Sequence, residues 1–281
     1  DLPPVPFAAA RFDIATVLLF AALAVTDSLE RPQTRDDYVY VLVGGALMIG
    51  AHHAFLFAGQ QYVTGAVAAV LLGLVPVVTP ALTRLASSDD RFTANTAVGV
   101  VLGFAGVVVI ADPDPANLLA STIGIALVFA AALAFAIPAV ITHDTSPSMS
   151  FLATQAWLMA IGAVVLHVAV LALPGQSFAD ASWTLSALAA MMYLSAVAGI
   201  GGFLLYFRLL DELGPIEMSF IEYVIPLFAA LAGWLVLGQP VTLATIGGFA
   251  CILMGFIAAK WTTLRAELRR VVEPKTSPPA D

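Results

Sequence analysis

The chain has 281 residues, 60% of them hydrophobic and only 11% charged, with a formal net charge of −8. A soluble domain carries about 25% charged residues, so this composition excludes an ordinary soluble globule and places the chain in a lipid bilayer. The acidic balance excludes nucleic-acid binding, which needs a basic surface. The lone cysteine, Cys251, excludes an intrachain disulfide and a cysteine-rich metal site.

Apolar segments long enough to cross a bilayer, at roughly 17–25 residues, fall at 6–25, 38–58, 62–85, 95–111, 118–141, 150–173, 185–209, 215–237 and 242–262. The sequence therefore predicts nine spans. Short turn-rich loops separate them, such as TDSLERPQTRDD at 26–37, DPDPAN at 112–117 and HDTSPS at 143–148. The tail from 263 is polar and ends in PKTSPPAD.

The cations fix the expected orientation. Alternate loops carry Arg31 and Arg35, then Arg84 and Arg91, then Arg208, then a tail with Lys260, Arg265, Arg269, Arg270 and Lys275. The other loops carry only Asp1, Asp112, Asp114 and Asp180. By the positive-inside rule the first set is cytoplasmic, and with it the C-terminus. The loop at 142–149 should share that side, but it has no Lys or Arg to say so.

Two tandem copies are visible. LVPVVTPALTRLASSDDRFTANTAVGVVLGFAG (74–106) aligns with VIPLFAALAGWLVLGQPVTLATIGGFACILMG (224–255), placing Pro76 on Pro226, Gly99 on Gly248 and Gly106 on Gly255. Upstream, GAHHAFLF (50–57) lies over GIGGFLLY (199–206), and PVPFAAARF (4–12) over SMSFLATQA (148–156), which sets Arg11 on Gln155. An odd number of spans separates the copies, so they are inserted in opposite directions, the inverted-repeat arrangement of secondary transporters. The second copy has five spans and the first four. The expected native fold therefore has ten helices, and the complete reading frame should encode one more apolar helix before Asp1. The predicted divisions are a first repeat at 1–111, a second at 118–262 and a cytoplasmic tail at 263–281.

The run FIEYVIPLFAALAGWLVLGQPVTLATIGGFACILMG resembles the half-repeat of the EamA-type transporters of the drug/metabolite transporter superfamily, and VPFAAARFDIA resembles the start of that family's second helix. The chain departs from the family pattern at Gln239, where a glutamate is common. The resemblance implies an all-α polytopic membrane protein of two inverted five-helix repeats that exports or exchanges small organic metabolites in the cell membrane. It carries over no residue set.

Intramembrane polar residues are the candidates for function. Glu222 lies about 10 Å from the membrane entry at Pro215, too deep for a short carboxylate to reach water. It reads as a proton- or amine-binding group, or as a hydrogen-bonded tie between helices. Glu217, within one turn of the helix start, reads as a dipole-compensating charge. His52 and His53 lie about 21 Å from the cytoplasmic end of their span, and adjacent residues cannot both face one path. Arg11 enters from the outside to a similar depth; it can hold a substrate carboxylate or snorkel outward. Gln155 sits opposite Arg11 in the other copy, and Trp157 and Tyr223 are candidate lining. Asp13 is expected to pair with a neighbouring helix, and Asp211 and Glu212 to lie in a loop.

No HExxH, G-x-S-x-G or P-loop occurs, so an enzyme is disfavoured and no cofactor is expected. The expected function is alternating-access export of a small polar metabolite such as an amino acid, coupled to protons or driven by its own gradient, by a monomer or homodimer. The alternative is a non-transporting scaffold or sensor.

Overall fold

The computed structural model describes residues 3–63, 65–86, 93–111, 122–173, 175–180, 183–214 and 242–259, with isolated positions between 218 and 235 and at 261. The elements that follow are helical, and no strand occurs among the described residues. They are α1 (Pro4–Val25), α2 (Arg35–Val43), α3 (His52–Gly59), α4 (Gly65–Leu72), α5 (Val75–Ala86), α6 (Ala94–Ala111), α7 (Thr122–Ile141), α8 (Phe151–Ala172), α9 (Leu185–Tyr193), α10 (Phe203–Leu213) and α11 (Leu243–Ala259). π-Helical turns at Gly44–Ala51 and Leu194–Gly202 fuse α2 to α3 and α9 to α10.

Among the described residues, five continuous helices are long and apolar enough to cross a membrane: Pro4–Val25, Arg35–Gly59, Thr122–Ile141, Phe151–Ala172 and Leu185–Leu213. The segment expected as one span at 62–85 is instead two pieces, α4 and α5, parted at Gly73–Leu74. Pro76 explains the break: it has no N–H to give a preceding turn and disfavours helix at the residue before it. The span expected to end at 209 runs on to Leu213, so Asp211 and Glu212 belong to the last turn of α10 and not to a loop.

Local chemistry sets the helix ends. Pro4 opens α1, where a missing N–H costs nothing. Thr34 and Asp37 form a reciprocal capping box at the start of α2. Ser150 and Thr184 cap α8 and α9 through their hydroxyls. Gly214, at φ 87°, terminates α10 in a conformation that a side chain would strain, with its N–H on the Leu210 carbonyl at 2.8 Å.

The chain divides into two compact units, Asp1–Ser88 with Pro113–Glu222, and Asp89–Asp112 with Tyr223–Asp281. In the first, α1 and the 44–51 turn pack on α8 around Phe12, Met48, Ile49, Leu158, Met159 and Leu166, all but inaccessible. In the second, α6 crosses α11. A Cβ on Gly255 would lie 2.7 Å from both Gly103 N and Gly99 O, and one on Gly106 2.5 Å from Gly248 O. Lipid tails are as apolar as leucine, so close backbone approach of this kind, rather than burial from water, holds such a pair.

Candidate functional site

All the described polar residues singled out in the sequence lie in the first unit, and they fall into two groups. The outer group centres on Arg11. Its guanidinium does not snorkel out; it turns across to α3, with Nη2 3.1 Å from His53 Nε2. His53 Nδ1 stands 2.8 Å from the Ile49 carbonyl. A carbonyl only accepts and an arginine only donates, so the imidazole is the neutral Nδ1–H tautomer, with Nε2 accepting from Arg11. Arg11 Nε is buried without a hydrogen-bond partner among the described residues, and the guanidinium carbon sits 4.6 Å from the Phe12 ring centre. No carboxylate pairs with Arg11 among the described residues. The Ser195 hydroxyl, in the 194–202 turn, reaches both the Arg11 carbonyl at 2.9 Å and that of Met191 at 2.7 Å.

His52 faces another way. Its Nδ1 donates to the Ala131 carbonyl of α7 at 2.9 Å, and its ring lies 5.0 Å from Phe135. The histidine pair thus divides its work, one ring tying α3 to α7 and the other meeting α1. Asp13 pairs with His167 of α8 at 2.8 Å, both side chains part-exposed.

The second group surrounds Gln155, the fifth residue of α8. Its side chain is 1% exposed, and neither Oε1 nor Nε2 has a hydrogen-bond partner among the described residues. It lines a cavity of about 130 Å³ with Tyr40, Met149, Leu158, Phe207 and Asp211. The Tyr40 hydroxyl donates to Asp211 Oδ1 at a long 3.4 Å.

An aromatic layer links the two groups. Phe207 stacks on Phe203 at 6.0 Å, and Phe203 meets Phe12 at 6.1 Å and His53 at 6.2 Å. Tyr206 joins Phe207 at 5.5 Å and Phe135 at 5.3 Å.

Beside the cavity, acidic side chains clasp two loops. Asp37 is fully buried, and its carboxylate accepts from Gln33 N, Thr34 N, Ser148 N and the Ser148 hydroxyl at 2.6–3.0 Å. Asp36 accepts from Ser146 N, and Glu30 from Ser150 N at 2.6 Å. Trp157, expected as lining, gives its indole N–H to the Glu30 carbonyl at 2.9 Å and packs edge-on against Phe20.

Glu222 and Tyr223 lie outside the described residues, as do Glu217 and Pro226. Among the described residues no three His, Cys, Asp or Glu side chains are grouped to hold a metal ion. The residue that sequence reasoning missed is Asp211. Its partner Tyr40 is 171 positions away, and no local pattern announces such a pair; a helix reading that ran past Arg208 was the one available signal.

Comparison with known proteins fits this architecture. A solved crystal structure superposes with a TM-score of 0.74 at 16% identity, over 95% of this chain and 90% of that one, which establishes a shared fold. An uncharacterized transporter of Archaeoglobus fulgidus is 28% identical over 90% of this chain and 87% of its own length. The uncharacterized inner membrane transporter YedA of Escherichia coli K12 is 26% identical over 88% and 83%, and the protein PecM of Dickeya dadantii 27% over 82% and 76%. The profile of the EamA-like transporter family matches twice, over residues 1–111 and 122–259. Spanning nearly the whole sequence, those matches assign the chain to the EamA-like transporter family, as a multi-pass membrane transporter.

Proposed function

We propose that the protein exports a small polar metabolite bearing a carboxylate, such as an amino acid, by alternating access between two inverted halves in the cell membrane. The observation that carries the reading is Arg11: a cation about 10 Å from the outer end of its helix, without a carboxylate partner among the described residues and with a buried orphan N–H. A charged group at such depth is costly unless it serves a path or a partner. A substrate carboxylate supplies the missing charge and accepts from the idle donor.

His53 offers a route for protons. Protonation at Nε2 converts the acceptor of Arg11 into a donor, so the Arg11–His53 bond cannot survive it. Proton binding and the freedom of Arg11 to hold substrate are thereby linked. Glu222 is the second proposed proton- or amine-binding group, with His52, Gln155, Trp157 and Tyr223 as further candidates along the path. The inverted-repeat reading draws support from the double family match and from the glycine contacts of α6 and α11. The proposed fold has ten helices with a cytoplasmic C-terminus.

The test is a metabolite efflux screen on the full-length gene, followed by transport in proteoliposomes. Losing one hydrogen bond to a charged group costs about 1.5–3 kcal/mol, so Arg11→Ala should weaken transport of carboxylate substrates by about 10- to 100-fold, and Glu222→Gln should abolish it or uncouple it from pH. Wild-type transport in both variants would remove the two residues from the mechanism. A screen in which no metabolite moves would favour a scaffold or sensor.

A further inference from the structure

The cavity around Gln155 has features that the transport reading does not use. A carboxamide so deeply buried, with both its donor and its acceptor idle among the described residues, bears a desolvation cost with no return inside the protein. Gln155 borders the cavity, but both amide atoms are closed off from water, so a ligand there meets Nε2 or Oε1 once the side chain turns toward it. The argument is indifferent to which way the amide is turned, because both ends are unpartnered.

At the rim stands Asp211. Its only hydrogen bond among the described residues is the long one from Tyr40, and no salt bridge reaches it there, although the His143 imidazole acts on its charge from a longer distance. Arg208, one turn earlier on α10, is engaged by Glu212 at 3.2 Å. Leu158, Met149 and the ring of Phe207 supply apolar lining, with Thr154 and Tyr40 adding hydroxyl-bearing side chains. A carboxylate, an aromatic ring and a carboxamide acceptor around a small space of mixed polar and apolar lining complement a protonated amine on a short aliphatic stem. They oppose a carboxylate, which would meet Asp211.

We infer that this cavity is an ammonium-binding subsite for small primary amines, with Asp211 as the counter-charge and Gln155 as the buried hydrogen-bonding partner. It deepens the transport proposal, and rests on that reading only for its role as the amine end of the substrate path. The site itself stands or falls on binding.

The test is calorimetric titration of the purified full chain in detergent micelles with propylammonium chloride, against propanol, propionate and potassium chloride as comparators. Saturable binding of propylammonium alone is expected. Asp211→Asn should weaken it by about tenfold or more, as loss of a charge-assisted contact does. Gln155→Leu, near-isosteric and relieved of the buried amide, should fold as well as the wild type and still bind less tightly, which keeps the test open if the Asp211 variant fails to fold. Absence of saturable binding, equal binding of propanol or potassium, or wild-type affinity in both variants would overturn the subsite. In proteoliposomes the two proposals separate. Amine binding without transport of any amine-bearing or carboxylate-bearing solute overturns the transport reading alone, whereas transport untouched by Gln155→Leu and Asp211→Asn overturns the subsite's role in the substrate path and leaves the binding result to decide the site itself.

Discussion

Arg11 and His53 hold each other in defined states. The arginine cannot accept a hydrogen bond, so it selects the imidazole tautomer; the Ile49 carbonyl fixes the other nitrogen. His53→Gln is the informative variant. A glutamine places an amide oxygen near the site of Nε2 and can still accept from Arg11, but it cannot take a proton at physiological pH. If coupling runs through His53, the variant keeps substrate exchange without a gradient and loses accumulation driven by a pH gradient. Proteoliposome flux with and without an imposed gradient reads both, and pH-driven accumulation at the wild-type rate would exclude His53 as the coupling group. Sequence inspection raised Arg11 and the histidine pair as separate candidates by depth alone. Their contact was not legible, because two residues 42 positions apart are joined only by how α1 and α3 pack. Asp211 reads in the sequence as a loop residue with no role for the same reason, and because a carboxylate beside a helix end looks like loop.

Among the elements, the apolar lengths were readable: α1, α8 and the 35–59 helix begin within three residues of their expected starts. The break between α4 and α5 was signalled by Gly73 and Pro76. The two π-helical turns were not, since one extra residue per turn leaves no compositional mark. Yet they fall at matching places of the two copies, Gly50 aligning with Gly199. The loop clasp was half legible. Thr34 and Asp37 spell a capping box in the sequence, but the same carboxylate also receives Ser148 from another loop. In Asp37→Asn the shape is kept and one acceptor becomes an N–H. If the amide nitrogen takes the Oδ1 position it faces Ser148 N–H; if it takes the Oδ2 position it faces Gln33 N–H and Thr34 N–H. Either way buried donors are left opposed, at a cost of about 1–3 kcal/mol. Thermal unfolding in detergent should register a lower melting temperature, and an unchanged one would mean that the clasp contributes nothing to stability.

At the scale of the molecule, an inverted repeat makes a geometric demand. Contacts across the pseudo-two-fold must be reciprocal, as in any isologous interface. The alignment pairs Gly99 with Gly248 and Gly106 with Gly255, and in the second unit Gly255 meets Gly99 while Gly106 meets Gly248. Each contact maps onto the other when the copies are exchanged. The clasp adds a statement about sides. The loop at 142–149, silent on orientation for want of cations, is bound to the loop after α1, which carries Arg31. The two therefore share one face of the membrane, which the proposed orientation sets in the cytoplasm. Ser186, two residues into α9, belongs to the opposite face if α8 crosses. In a Cys251→Ala background, a membrane-impermeant maleimide applied to intact cells should label Ser186→Cys and spare Ser146→Cys, and inside-out vesicles should reverse the pattern. Labelling of both positions from one side would mean that α8 does not cross, and with it the opposed insertion of the two halves would fall. Labelling with the two faces exchanged would leave the repeat intact and reverse the orientation, setting the cavity at Gln155 on the outer face and Arg11 toward the cytoplasm.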